Sequence, residues 1–341
     1  MLSLAIFLLL SSAALAGQAP RLYSAVPAVR QGKAVIWHDP GAVEKRDFQY
    51  CSGGRSLVPR SPFAFLKEDT GGSSSKVRVR DRTGREWAVK FGEEASPDNF
   101  ASCLAWAVGY YVEPTYYVAE GVIHGAHHLK RAKHSIDQDG HFIGGRFQLR
   151  SKHPQFLKHV DWSWTDNPFL GTHQLNGLKV MMMLTSNWDD KDIRDAEDRG
   201  SNTAIYHIGR QYVFFVDDWG GAMGAWGHVY SRSKWNVGDY TGQTKEFVRG
   251  VDHGEIQWSY HGQHTTEMTR GITVSDIRWL LRYLGRITDR QLETGLRTSG
   301  ATPEQISTYT HAIRQRIQQL ESIAKGQVES GQVQRSSSPA N

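Results

Sequence analysis

Polar and apolar positions begin to alternate near residue 62. PFAFLKED (62–69) and KVRVRD (76–81) read as strands separated by the flexible loop TGGSSS (70–75), and EWAVKF (86–91) returns as a third strand after the turn RTGR (82–85). The period then lengthens: Phe100, Leu104 and Val108 recur at helical spacing, with Ser96 placed to cap the helix, Pro97 in its first position and Gly109 at its end. Further on, Thr172 caps a predicted helix whose apolar face is Leu175, Leu178, Met181 and Met182, and the polar run TSNWDDKD follows it. TAIYHI (203–208) and QYVFFV (211–216) flank Gly209-Arg210 as a hairpin that runs directly into DDWGG. Two more helices are predicted, one from Ser275 with Ile277, Leu280, Leu281 and Leu284 inward, and one from Thr302-Pro303 with Ile306, Ile313, Ile317 and Leu320 inward. Gln305 completes a capping box with Thr302.

The flanks lack this periodicity. Residues 17–60 are rich in Gly, Pro and Ser and read as an extension over the surface, and residues 326–341 as a polar tail. MLSLAIFLLLSSAALA has the apolar run and Ala14-x-Ala16 ending of a secretory leader, though no basic residue precedes the run; an exported, non-membrane protein is the expectation. In a chain of 341 residues carrying a net charge of +5, the bases are scattered, which gives no reason to expect nucleic acid as partner. Of the two cysteines, Cys103 falls in a helical pattern and reads as a free buried thiol, with a Cys51–Cys103 disulfide as the alternative in an exported chain. The histidines between 124 and 141 lack the spacing of a zinc site and read as surface loop, and the methionines near 182 read as core.

One order of parts carries chemistry. Gly71, Gly72, Ser73, Ser74 and Ser75 form a loop whose amides can approach phosphate oxygens. Lys90 ends the third strand, Asp98 lies in the helix after it, and acids recur in NWDDKDIRD (187–195) and DDWG (217–220). Phosphoryl transfer needs these parts: a lysine on the phosphates, and acids to hold Mg2+ and orient an acceptor. No G-x-S-x-G, Walker A or dinucleotide-binding glycine motif is present.

Read against H-R-D-L-K-x-x-N and D-F-G, NWDDKDIR and DWG resemble the catalytic elements of the protein kinase-like fold, closest to its atypical HipA-like and phosphatidylinositol-kinase-like branches; an uncharacterised bacterial family is also similar. The resemblance implies a two-lobed α+β protein, with a β-rich N-lobe at 61–120 and a mainly helical C-lobe at 121–325. It implies ATP with Mg2+ or Mn2+ as cofactors, and a protein, lipid or small molecule as acceptor. Asp189 is then the catalytic acid, Lys191 the loop lysine, Lys90 and Asp98 the nucleotide-holding pair, and Asp218 the metal ligand. Glu93 or Glu94 could replace Asp98, and Asp217 could exchange with Asp218. The chain departs from the pattern at Arg194, where a metal-binding Asn is expected; Asp192 or Asp195 must then serve as the second ligand, or the protein is a degenerate binding module. An envelope glycan binder or glycosidase built on the tryptophan-rich C-terminal half is the remaining alternative.

Overall fold

A computed structural model describes residues 20–71, 74–150, 155–197, 200–227 and 232–326. The leader and nearly all of the tail lie outside these residues, as do Gly72 and Ser73.

Strands β1 (Phe63–Asp69), β2 (Lys76–Arg80) and β3 (Glu86–Phe91) form an antiparallel meander within a residue of the alternation. They close into a five-stranded barrel with β4 (Thr115–His124) and β5 (His141–Arg150), in the order β1-β2-β3-β5-β4. The barrel therefore runs on to Arg150, and the lobe boundary placed at 120 cuts β4. Aromatic and β-branched residues of every other position fill it: Val77, Val79, Trp87, Val89 and Phe147 are fully buried. The opposite pleat of β2, β3 and β5 faces the second lobe. Between β3 and β4 lies α1 (Ala95–Ala107), which starts one residue before the proposed cap because Glu94, not Ser96, occupies the cap position.

The second lobe is built on α2 (His173–Leu184), whose Thr172 hydroxyl accepts from the Leu175 amide as the sequence suggests. The hairpin β6 (Thr203–Ile208) and β7 (Gln211–Val216) pairs in the expected register across Gly209-Arg210. Three helices close the lobe: α3 (Val274–Leu284), α4 (Asp289–Thr298) and α5 (Pro303–Ala324), each with a capping box. The α3 cap is Thr273, two residues before the predicted start.

Residues 20–60 are not a surface wrapping. Lys33–Val35 adds a parallel strand to β7, and Ile36, Val43 and Phe48 are buried in the main core. Cys51 and Cys103 are joined in a disulfide, so Cys103 is not a free thiol; the turn at Cys51 lies against α1, and the bond staples the N-terminal segment to that helix. Arg316 of α5 is 1% exposed and has no carboxylate partner among the described residues. Its guanidinium donates to the carbonyls of Met183, Leu184 and Tyr240 and to the Ser186 and Thr244 hydroxyls. The first two are end carbonyls of α2, so a buried cation caps the helix that delivers the polar loop at 187–195.

Candidate active site

The cleft between barrel and helical lobe gathers residues from four distant segments. Lys90 is delivered by the last turn of pleat in β3, and its Nζ is 2.8 Å from Asp218, 3.1 Å from Glu94 and 3.4 Å from Asp98. Burial acts against an ammonium here, but Asp218 and Asp98 outweigh it and hold Lys90 above the ordinary lysine range. Asp98 also takes Arg146 of β5 at 2.7 Å. Of the three carboxylates offered beside Lys90, Asp98 and Glu94 are therefore both used, and Glu93 is exposed. Glu94 binds Lys234 and the Ser74 hydroxyl as well, tying the loop between β1 and β2 to the strand lysine. Glu94 is lowered to about 2, because Lys90 and then Lys234 overcome the cost of burial.

Adjacent Asp217 and Asp218 are told apart by geometry. Asp218 turns to Lys90 and also accepts from the Gly220 amide at 2.8 Å; Lys90 and Arg146 hold it well below the carboxylate range against its burial. Asp217 points instead at Glu113, whose carboxyl is driven up by burial and by that neighbour. The two glycines after Asp218 are needed for space. A Cβ on Gly220 would stand 2.9 Å from Glu94, and one on Gly221 would stand 2.6 Å from the Asp189 side chain. This packing brings the DWGG segment down on the polar loop.

In that loop Asp189 is raised by burial, with Lys191 at 3.3 Å opposing and Asp218 adding to the shift. Its Oδ1 accepts from Gln263, a residue that no motif marks. Asp190, by contrast, is sealed in, with Oδ1 accepting from the His264 amide and Oδ2 from the Tyr260 hydroxyl. Asp192 and Asp195 are occupied in holding the loop. The Asp192 carboxylate accepts the Arg194 guanidinium and the Trp164 amide, and Asp195 accepts the Asp192 amide and His264. Asp192, Asp195 and His264 form a compact group of potential metal donors, with the Arg194 cation already seated on it.

An asparagine from the foot of the hairpin also reaches this loop. The loop is longer than the compared pattern, and Asn202 directly precedes β6. Its Nδ2 donates to the Asp189 carbonyl at 2.6 Å, its own carbonyl accepts from the Asp217 amide at 2.8 Å, and its side chain also bonds the Asp189 carboxylate. Counting from the strand rather than from Asp189 would have found it.

Of the proposed phosphate loop, Gly71 bonds back to Asp69, Ser74 holds Glu94, and Gly72 and Ser73 lie outside the described residues. Ser75 has a buried hydroxyl without a partner among the described residues. The tryptophans suggested for sugar stacking are mostly core: Trp162, Trp164 and Trp219 are at most 1% exposed. No helix among the described residues is long and apolar enough to cross a membrane.

No protein family matches the chain, and no curated protein does. Solved structures do. A proinflammatory kinase, CtkA, from Helicobacter pylori superimposes over 79% of this chain and 98% of its own, at 12% identity and a TM-score of 0.48. The Golgi casein kinase with Mn/ADP bound superimposes over 78% of this chain and 72% of its own, at 11% identity and a TM-score of 0.39. Both are kinases. The element order here, with barrel, lysine strand, acid-bearing helix, polar loop and hairpin-DWG, is that of a two-lobed kinase-like α+β fold.

Proposed function

We propose that this protein is a kinase-like phosphotransferase that binds a metal-nucleotide between its lobes and passes phosphate to an acceptor hydroxyl. The observation that carries the reading is the contact of Lys90 with Asp218, 128 residues apart in sequence and 2.8 Å apart in space. Two lobes meet there, and the groups that would neutralise phosphates and hold a divalent cation meet with them. Asp218 and the amide oxygen of Asn202 are hard donors of the kind Mg2+ or Mn2+ takes. A metal bound there would draw off phosphate charge. Asp189, partly buried and raised, is suited to accept the acceptor's proton, and Lys191 beside it to steady the carboxylate. Arg194 need not disable the site, since Asn202 supplies what its position lacks.

We place the protein outside the cytoplasm, a reading supported by the leader-like first sixteen residues and by the Cys51–Cys103 bond, which belongs in an oxidising compartment. The acceptor is assigned only as a hydroxyl compound.

Thermal-shift measurements with ATP and Mg2+ or Mn2+, and phosphate transfer to a generic protein acceptor, test the reading. Wild type should be stabilised by the metal-nucleotide, Lys90→Ala and Asp218→Asn should lose that shift, and Asp189→Asn should keep it while losing transfer. A nucleotide shift that survives both Lys90→Ala and Asp218→Asn would place binding elsewhere and end the proposal.

A further inference from the structure

One small cavity of the cleft is not what a purine needs. A cavity of about 90 Å3 lies on the outward pleat of β2, β3 and β5. That is well short of the roughly 300 Å3 of a site that buries a whole drug-sized ligand, so it holds one end of a ligand. Five cationic side chains line it, Lys76, Arg78, Lys90, Arg146 and Arg150, against the carboxylates of Asp69, Asp217 and Asp218. Ala88 is the one apolar side chain that the outward pleat contributes; Val77 and Val89 border the cavity but belong to the barrel core. A heteroaromatic base is held best by apolar faces above and below it, and arginines and lysines crowded at a rim offer it neither.

The charges are also unequally answered. Lys90 and Arg146 have their acids. Lys76, Arg78 and Arg150 have no ion pair among the described residues, and the buried Nε atoms of Arg78 and Arg146 have no hydrogen-bond partner at all. Arg146 is only 4% exposed. Five cations against three carboxylates round one small cavity, three of the cations with no carboxylate at ion-pair distance among the described residues, make a place for an anionic acceptor. The acceptor must be anionic and rich in oxygen, because guanidinium forks match phosphate geometry.

Resting on the nucleotide reading above, we propose that this cavity is a polyphosphate subsite. The phosphate end of the ligand enters first and is received by Arg78, Lys76 and Arg150, and the base stays toward the mouth of the cleft. Lys90 and Asp218 then meet the ligand partway along its phosphate chain.

Isothermal titration of the full chain with Mn2+ present tests this, using ATP, tripolyphosphate and adenosine as probes and Arg78→Gln, Arg150→Gln and, as a surface control on α4 outside the cavity lining, Arg290→Gln. Tripolyphosphate should bind and displace ATP, adenosine should not, and each cavity arginine variant should weaken ATP and tripolyphosphate together by about tenfold, the worth of one charge-assisted bond to phosphate. Arg290→Gln should change nothing. Arg150 is exposed, so its variant keeps the test sound if Arg78→Gln misfolds by melting temperature. ATP binding that adenosine competes away and that both cavity arginine variants leave unaltered overturns the subsite and spares the nucleotide reading. Tripolyphosphate binding that depends on Arg78 without any ATP binding does the reverse. Binding of neither overturns both.

Discussion

Removing the ammonium at the centre of the cleft should cost stability in a way that reports its partners. Lys90→Met leaves the stem volume nearly intact but strands three carboxylates, Asp218, Glu94 and Asp98, around a methyl group. The Lys90 side chain is 4% exposed and its partners Glu94 and Asp98 are 13% and 2%, so solvent screens little of this loss. Breaking a buried pair from one side costs about 3–5 kcal/mol. Arg146 and Lys234 remain to hold Asp98 and Glu94, which favours the lower end, about 3 kcal/mol. Asp218→Asn should cost less, about 1–2 kcal/mol, because Lys90 keeps two acids and Asp218 is 29% exposed. In the double variant the stranded charge at 218 is gone, so the losses should fall short of additivity by about 1 kcal/mol or more. Urea denaturation of the four proteins, followed by tryptophan fluorescence and circular dichroism, gives the cycle. Additivity within about 0.3–0.5 kcal/mol, the range for independent sites, would refute direct contact between the lobes through this pair, and the site with it.

Other consequences follow from the same contacts. Glu94 titrates near 4.5 when unfolded and near 2 when folded, so the unfolded chain binds a proton that the folded one refuses. Stability contributed above pH 4.5 is then lost as pH falls toward 2, about 3 kcal/mol in all, and Glu94→Gln should flatten that part of the melting temperature against pH curve. Arg316→Met leaves the carbonyls of Met183, Leu184 and Tyr240 without their donor; a loss of about 3 kcal/mol or more is expected by denaturation. Reduction of Cys51–Cys103, which closes a loop across a separation of 52 residues, should lower stability by about 4 kcal/mol on the chain-entropy account, seen as a lower melting temperature in dithiothreitol and no change in a Cys51→Ser/Cys103→Ser variant. Asn202→Ala should weaken Mn2+-dependent nucleotide binding about tenfold and, by unpairing the buried Asp189 carbonyl, lower metal-free stability by about 1–3 kcal/mol, checked by titration and melting.

Local signals carried the three-stranded meander, the hairpin and the capped helices, because alternation, turn residues and caps act over a few residues and need no knowledge of the rest. The strands at 115–124 and 141–150 escaped for the same reason. β5 is GGRFQLR over much of its length, with Arg146, Gln148 and Arg150 set toward the cleft, so its pleat shows charge where a soluble strand usually shows solvent-facing polarity, and Gly144 and Gly145 weaken the pattern further. The α4 helix was missed because its strong face is narrow: Leu292 and Leu296 are its buried leucines, and Gly295 takes the third inward position, where a Cβ would be 3.0 Å from Phe48. In the site, Lys90, Asp98, Asp189 and Asp218 were legible from type and order. Gln263, Lys234, Arg146 and Arg316 come from segments with no motif, and only packing brings them in. Asn202 fell outside the compared pattern because the loop before β6 is longer than that pattern. The disulfide was legible only as an alternative, since sequence gives no distance between Cys51 and Cys103.

The α1 helix is held on every side that matters. Cys103 bonds Cys51, the Asn99 amide donates to Ser299 at 2.9 Å, and Phe100 lies against Gly295 at the crossing with α4. A protein that turns itself on and off by swinging the acid-bearing helix needs that helix loose. Here the covalent tie and these contacts oppose such a swing, holding Asp98 beside Lys90. On the proposed function, such a cleft would stand ready for its ligand, and the supply of nucleotide and metal rather than a rocking helix would govern its output.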